Sequence, residues 1–312
     1  MIKVEGLTKR YGDVTAIEDL SFQVEKGEIV GFLGPNGAGK TTTMRIITGF
    51  LPSTDGMVTV SGHDIFEKPM EVKKQIGYLP EHPPLYADMT VAGYLKFVSK
   101  IKGLPRSARA DAIDRMLERC GLKDVRKKII GKLSKGYRQR VGLAQAIIHE
   151  PAVLILDEPT VGLDPRQIRD IRSLITELSG EQTVILSTHI LPEVTVTCSR
   201  VIIISEGQVV AEDTVQGLTE GLNRSETMLV KVSRVPDGLP GTLAALDQVE
   251  DVVADGPNRF KIRLAGGDEP RARLADAVVR SGAGLLEMAR TTATLEEVFL
   301  KLVTEEPEGE AA

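Results

Sequence analysis

The run Gly34–Thr42, which reads Gly-Pro-Asn-Gly-Ala-Gly-Lys-Thr-Thr, fits the pattern of a phosphate-binding loop. Its glycines let successive backbone N–H groups curl round an anion, and the helix expected behind it directs its positive end at the same point. Lys40 is expected to reach the β- and γ-phosphates of a nucleotide, and the Thr41 hydroxyl to ligate Mg²⁺. The residues predicted to bind the nucleotide in this run are Gly34, Pro35, Asn36, Gly37, Ala38, Gly39, Lys40, Thr41 and Thr42.

Two adjacent carboxylates, Asp157 and Glu158, follow the apolar run Val153–Leu156. Such a run predicts a buried strand, and ligands usually bind at the carboxyl ends of strands in an α/β sheet. We expect Asp157 to hold the Mg²⁺ shell and Glu158 to orient or deprotonate the water that attacks the γ-phosphate. Because two acids after a strand often only cap the next turn, this interpretation depends on the phosphate loop upstream.

Length and composition limit the class of protein. With 312 residues and 42% apolar content, the chain is long enough for about two domains. The net charge of −5 argues against nucleic acid as the main partner, since the basic stretches 126–128 and 132–140 are typical of a solvated face. No apolar run approaches the roughly 20 residues of a membrane span, and no signal-peptide core is present, which favours a cytoplasmic location. Cys120 and Cys198 are expected to be plain buried thiols.

Hydrophobic periodicity predicts an α/β nucleotide-binding domain over residues 1–217. Alternating runs before residue 32 indicate a small antiparallel β region, and the stretch from about 82 to 150 has the spacing of a helical insert. The strand–helix alternation that resumes at Ala152 indicates a parallel sheet. From 222 to 303 the pattern βαββαβ predicts a small ferredoxin-like α+β domain with an accessory role, and residues 304–312 are expected to be a disordered acidic tail.

A third motif, Leu133-Ser-Lys-Gly-Tyr-Arg-Gln-Arg140, opens a predicted helix. Ser134 suits its N-cap, and Gly136 allows a close backbone approach. The phosphate loop, the helical insert, the Leu-Ser-x-Gly motif and the Asp-Glu strand follow one another in the order of the ABC ATPases. From about Met1 to Val215 the chain therefore resembles that superfamily, which implies a P-loop ABC ATPase domain that binds ATP and Mg²⁺.

The resemblance assigns roles to residues that the pattern alone leaves open. It implies that Tyr11 stacks on the adenine, that Asp164 lies in a catalytic loop after the Asp-Glu strand, and that His189 senses the γ-phosphate. It also implies that Ser134 and Gly136 contact the γ-phosphate bound by a second nucleotide domain. One such domain in each chain then implies a dimer, expected to be a homodimer, that forms with ATP and separates after hydrolysis.

Glu81 departs from the common pattern, because most of the superfamily has glutamine after the strand Ile76–Leu79 and Pro80. A carboxylate can also ligate Mg²⁺, so Glu81 is predicted to be both a metal ligand and a catalytic residue. Lys135 and Tyr137 replace the commoner glycine and glutamine of the signature motif. These differences resemble the type 2 ABC exporter branch, and within it the chain is similar to subunits linked to gliding motility or copper-site maturation.

The leading hypothesis is the ATP-hydrolysing subunit of an exporter, bound to the cytoplasmic face of the membrane through a separate transmembrane chain. A soluble ABC ATPase that acts on ribosomes or DNA is the first alternative, and a regulatory subunit that binds ATP without hydrolysis is the second. Glu81 suggests this second alternative. The residues that argue against it are the intact Lys40, Asp157, Glu158 and His189. The transported substrate is not predicted, since the resemblance implies that the membrane partner selects it.

Overall fold

The computed structural model describes residues 1–178, 180, 182–221, 225–265, 268–291 and 295–304. It divides into two compact units, Met1–Asp213 and Thr214–Ala312. The boundary expected after Gly217 falls inside the helix Val215–Gly221, which belongs to the second unit. Of the tail expected over 304–312, only residue 304 is described, as the end of a helix, and the others lie outside the described residues.

The first unit contains two sheets with helices packed on them. Its strands are β1 (Ile2–Tyr11), β2 (Val14–Val24), β3 (Ile29–Leu33), β4 (Asp55–Val60), β5 (His63–Asp64), β6 (Ile76–Leu79), β7 (Val153–Asp157), β8 (Thr183–Thr188), β9 (Arg200–Ser205) and β10 (Gln208–Thr214). Its helices are α1 (Lys40–Ile47), α2 (Pro69–Gln75), α3 (Val91–Ile101), α4 (Arg109–Arg119), α5 (Lys135–Ile147), α6 (Pro165–Glu177) and α7 (Leu191–Thr197).

The smaller sheet of this unit is antiparallel and has the strand order β2-β1-β4-β5. Ile2 and Val4 of β1 are buried while the neighbouring Lys3 and Glu5 are exposed, as expected for a sheet with one covered face. The antiparallel region predicted from the alternating runs is confirmed. It also includes β4, which lies beyond the phosphate-binding loop in the sequence.

The larger sheet has the strand order β10-β9-β3-β8-β7-β6, and its pairs β9–β3, β3–β8, β8–β7 and β7–β6 are parallel. Every residue of β3 and β7 is buried, which is the pattern of parallel strands covered on both faces. The carboxyl ends of β3, β8, β7 and β6 are neighbours at one edge of the sheet. The segments that follow these four strands therefore meet there.

A hydrophobic core joins the two sheets through α1. Met44, Ile46 and Ile47 of this helix are fully buried, as is Phe32. The ring centroids of Phe32 and the buried Phe22 lie 5.4 Å apart. Burial of each large side chain contributes about 1.5–3 kcal/mol to folding. Because α1 begins at the end of the phosphate-binding loop, this packing fixes the position of the loop.

The helical insert predicted between 82 and 150 contains α3, α4 and α5. Thr90 caps α3 by accepting a hydrogen bond from the Gly93 N–H, and Ser134 caps α5 as expected. Residues 105–108 form a turn, and α4 begins after it at Arg109.

The members of the second unit are α8 (Val215–Gly221), β11 (Ser225–Val232), α9 (Leu239–Ala244), β12 (Val249–Ala254), β13 (Arg259–Ala265), α10 (Asp268–Arg280), β14 (Leu285–Thr291) and α11 (Leu295–Thr304). The elements from β11 to β14 follow the predicted order βαββαβ, with one helix before them and one after them. The antiparallel sheet has the order β12-β13-β11-β14, so β11 and β13 are central. The helix α9 begins at Leu239, because Pro240 fits its first turn and Gly238 adopts the left-handed conformation before it.

The last helix, α11, packs on its own unit. Leu295 and Val298 are buried, and Glu297 forms an ion pair of 3.6 Å with Lys261 of β13. The buried side of this helix, with Leu295 and Val298, is therefore covered within its own unit. None of the helices in the described part of the chain combines the length and the apolar character that a bilayer crossing needs.

Candidate nucleotide-binding site

The phosphate-binding loop connects β3 to α1, in the order that the sequence predicts. Gly37 and Gly39 have φ values of 88° and 99°, which L side chains rarely adopt. A Cβ at Gly34 would lie 2.5 Å from the Ile204 carbonyl oxygen, so only glycine fits. The loop therefore exposes backbone N–H groups in front of the positive end of α1, which is the arrangement of an anion site.

Lys40 is the charged group at the base of this loop, and only 6% of its surface is exposed. Its Nζ donates to the carbonyl oxygens of Gly34 at 2.8 Å and Pro35 at 3.1 Å, and lies 3.7 Å from Glu158 Oε1. Burial lowers the pKa of Lys40, while the charges of Glu158 and Asp157 act in the opposite direction. The ammonium is thus held by two carbonyl oxygens of the loop and by the nearby carboxylate of Glu158.

Asp157 ends β7 and is 1% exposed. Its Oδ1 accepts from the hydroxyls of Ser187 at 3.0 Å and Thr41 at 3.4 Å, whereas its Oδ2 is buried and has no hydrogen-bond partner among the described residues. Burial raises the pKa of this carboxyl, and the two hydroxyls partly offset the increase. A buried acceptor without a donor, beside a threonine hydroxyl, is a chemically suitable place for a divalent cation.

Glu158 follows at the end of the same strand, with a left-handed φ of 48°. Its N–H donates to the Ser187 carbonyl at 2.9 Å, and its two carboxylate oxygens lie 2.9 and 3.0 Å from Nδ1 of His189. With Nδ1 protonated, the imidazole donates to both oxygens. The ends of β7 and β8 thereby bring together Glu158, the predicted base, and His189, the predicted sensor of the γ-phosphate.

Glu81 follows β6 and lines the same cleft. The cleft lies between the phosphate-binding loop and the acids, and its lining residues are Ala16, Asn36, Gly37, Gly39, Lys40, Thr41, Thr42, Glu81 and Glu158. The Glu81 side chain is 42% exposed and lies 3.7 Å from Nδ1 of His82. Its charge also acts on Lys40 and Asp157. The segments after β3, β6 and β7, which are far apart in sequence, therefore converge as the order of the larger sheet requires.

Four further predicted residues lie outside the lining of the Lys40 cleft. Tyr11 ends β1 with 48% of its surface exposed, and Lys9 Nζ lies 5.1 Å from its ring centroid. Asp164 caps α6, because its Oδ1 accepts from the N–H groups of residues 166 and 167. Ser134 caps α5, and Gly136 packs so closely on Gln167 that a Cβ would lie 2.5 Å from that side chain. Within the described residues, none of these side chains lines the Lys40 cleft.

Sequence reasoning misses several side chains that support the site. Ser187 is the register partner of Asp157 in neighbouring strands, and a motif search does not detect such a pairing. Glu193 accepts hydrogen bonds from the hydroxyls of Thr160 and Thr188, and only its place shortly after His189 in the sequence would have drawn attention to it. Cys120 and Cys198 are buried and free, as predicted.

Comparisons with known proteins agree with this geometry. The family model for ABC transporters matches residues 17–161, and a model described as AAA domain, putative AbiEii toxin, Type IV TA system overlaps it over residues 129–196. An uncharacterized ABC transporter ATP-binding protein of Bacillus subtilis (strain 168), YxlF, is 35% identical over 303 residues, which cover 97% of this chain and 99% of that protein. The daunorubicin resistance ATP-binding protein DrrA3 of Streptomyces coeruleorubidus is 36% identical over 96% of this chain and 95% of its own length.

A solved structure gives the same result for the fold. A bacterial ABC transporter cassette, determined as a dimer, has a TM-score of 0.64 and 25% identity, and the match covers 69% of this chain and 98% of the cassette. The first unit thus has the fold of a nucleotide-binding cassette, and the two relatives match the chain over both units. The chain belongs to the ATP-binding proteins of ABC transporters and is the ATP-binding, ATP-hydrolysing subunit of such a system.

Proposed function

We propose that this chain hydrolyses ATP with Glu158 as the general base, in a cleft completed by a second copy, and thereby drives a separate membrane chain. One observation carries the proposal: the Glu158 carboxylate lies between His189 at 2.9 Å and Lys40 at 3.7 Å, next to the phosphate-binding loop. A base must lie within reach of the water that it deprotonates and of groups that hold the phosphate. Glu158 lies close to Lys40, the group expected to hold the phosphate, and lines the cleft that the water would enter.

Four side chains divide the work in the proposed reaction. Lys40 leaves the carbonyl oxygens of the loop and binds β- and γ-phosphate oxygens. Glu158 accepts a proton from the attacking water, so that an oxygen–phosphorus bond forms while the bond from the γ-phosphorus to the bridging oxygen breaks and ADP leaves. His189 donates to the γ-phosphate. Tyr11 is proposed to stack on the adenine, for which its exposed ring is suited.

Mg²⁺ is the cofactor that we propose for the acids. The unpartnered Oδ2 of Asp157 and the Thr41 hydroxyl fit it, because hard cations prefer oxygen ligands. Glu81 is the further candidate ligand, since it lines the same cleft. The cation would neutralise charge on the phosphate oxygens when bound.

We propose a dimer because three of the predicted site residues do not line the Lys40 cleft of a single copy. Ser134, Gly136 and Asp164 cap or pack helices away from Lys40, so we propose that they act on the nucleotide of a second, identical copy. The cassette that was solved as a dimer supports this arrangement. For the second unit we propose a regulatory or dimer-bracing role.

The transport role extends the family assignment. We propose that the chain lies on the cytoplasmic face of the membrane, bound to a separate permease, and that it belongs to the type 2 exporter branch. Export is the proposed direction because one of the two relatives that span both units is named for daunorubicin resistance. No relative or solved structure compared above supports the alternative role on ribosomes or DNA.

The experiment that tests the proposal measures phosphate release by the purified full-length chain at increasing Mg²⁺. We expect turnover that requires the cation and is lost in Asp157→Asn. Turnover without Mg²⁺, or unchanged turnover in Asp157→Asn, would contradict the site. Recovery of the tagged chain with membranes that contain a polytopic partner tests the transport role separately.

A further inference from the structure

Glu193 is a buried acid that the proposed reaction does not use. It lies in the first turn of α7, and only 1% of its surface is exposed. Its nearest cationic group is Arg172 Nη2, at 4.0 Å from Oε1. Burial of a carboxylate with so distant a counterion is costly unless hydrogen bonds compensate, so the surroundings of this side chain need an explanation.

Two threonine hydroxyls supply those hydrogen bonds. Thr160 Oγ1 donates to one carboxylate oxygen of Glu193, and Thr188 Oγ1 donates to the other at 3.1 Å. Both threonines are buried, and Thr188 Oγ1 also accepts from the Ile190 N–H at 3.1 Å. One carboxylate oxygen thus holds the turn that contains Thr160, and the other holds the end of β8.

These two segments adjoin Glu158, the proposed base, and His189, the residue proposed to bind the γ-phosphate. Thr160 lies two residues after Glu158, and Thr188 immediately precedes His189. Glu158 has a φ of 48°, which a non-glycine residue keeps only when its surroundings hold it. Its N–H is bonded to Ser187 on one side, and the Thr160–Glu193 bond restrains the chain on the other.

We propose that Glu193 is a positioning residue that sets the distance between the Glu158 carboxylate and the His189 imidazole. The inference rests on the proposed function, because it assumes that this pair performs the chemistry. Glu193 does not touch the cleft and acts only through Thr160 and Thr188. Its loss should therefore slow turnover without weakening ATP binding.

The test compares Glu193→Gln and Glu193→Ala in the full-length chain with Glu177→Gln, a matched change at an exposed glutamate of α6. Turnover in Glu193→Ala should fall by between about ten- and a hundredfold, as small misplacements of catalytic groups do, and less in the isosteric Gln variant. The Kd for ATP should stay within about twofold in all three. In a His189→Ala background, Glu193→Ala should add little further loss, because both changes act on the same pair.

A readout without hydrolysis separates this inference from the proposed function. The chain has four histidines, so the imidazole resonance of His189 can be assigned with His189→Ala. This resonance should move in Glu193→Gln and stay in place in Glu177→Gln. An unmoved resonance, equal losses in kcat and ATP affinity, or fully additive effects with His189→Ala would overturn the positioning role. A moved resonance in a chain that does not hydrolyse ATP would support it while refuting the proposed reaction.

Discussion

Glu158→Gln is the change that tests the proposed base most directly. The amide keeps the size of the side chain and can still bond His189, but it does not accept the proton of the water. Loss of a general base lowers turnover by about 10²–10⁴-fold, which corresponds to about 3–5 kcal/mol of activation free energy. We expect a fall in kcat within this range.

The affinity for ATP, in contrast to turnover, should not fall in Glu158→Gln. Glu158 Oε1 lies 3.7 Å from Lys40 Nζ, where two unit charges attract by about 4 kcal/mol at an effective dielectric constant of 20, before desolvation is subtracted. Removal of the negative charge frees the ammonium for phosphate. The Kd for ATP should therefore stay the same or fall by up to about tenfold, and a dimer held by unhydrolysed ATP should accumulate.

The assay combines phosphate release, equilibrium binding of ATP and light scattering at saturating ATP and Mg²⁺. Glu177→Gln is the matched control, because it makes the same exchange at an exposed position of α6. Wild-type turnover in a folded Glu158→Gln protein that stays monomeric would refute the role given to Glu158.

Three further predictions concern other parts of the chain. Glu81→Gln should reduce turnover only mildly, whereas Glu81→Ala should reduce it more, since only the second change removes an oxygen ligand. Turnover measured at increasing Mg²⁺ checks this, and equal effects of the two changes would make Glu81 a plain surface acid. Burial, with the charge of Lys102, lowers the pKa of His149 to about 4 from 6.5. Protonation therefore favours the unfolded chain, and the free energy of unfolding should fall as the pH drops from 6.5 to 4. With allowance for solvent screening, His149→Gln should reduce that fall by about 1–2 kcal/mol in urea titrations, and an unchanged pH profile would contradict the assignment. Truncation after Gly217 should preserve ATP affinity but shorten the lifetime of the dimer in light scattering, and loss of ATP binding by a folded truncated protein would assign the second unit to the site.

The sequence predicts the site well wherever the chemistry lies in one contiguous segment. The glycines of the phosphate-binding loop and the acids after β7 are recognisable because the local backbone requires them. The convergence of Glu81, Glu158 and His189 also follows from the sequence once parallel strands are predicted, because carboxyl ends share an edge.

Tertiary packing determines what the sequence does not predict. The segment Leu191–Thr197 contains alternating valines and threonines, which favour a strand, yet it is the helix α7. It forms because it packs on β3, where a Cβ at Gly31 would lie 2.7 Å from Val194. The hydrogen bonds that Glu193 accepts from Thr160 and Thr188 depend on that helix, so they could not be derived from the sequence pattern.

The position of β3 in the larger sheet has a consequence for biosynthesis. Its two neighbours are β8 and β9, which begin at Thr183 and Arg200, so a strand of five buried residues has no partner in the sheet until more than half of the chain has been made. The Thr41–Asp157 hydrogen bond likewise spans 116 residues. Contacts of such long sequence separation form late and leave apolar strands exposed to aggregation while they wait. The larger sheet can therefore be completed only after β8 and β9 have left the ribosome.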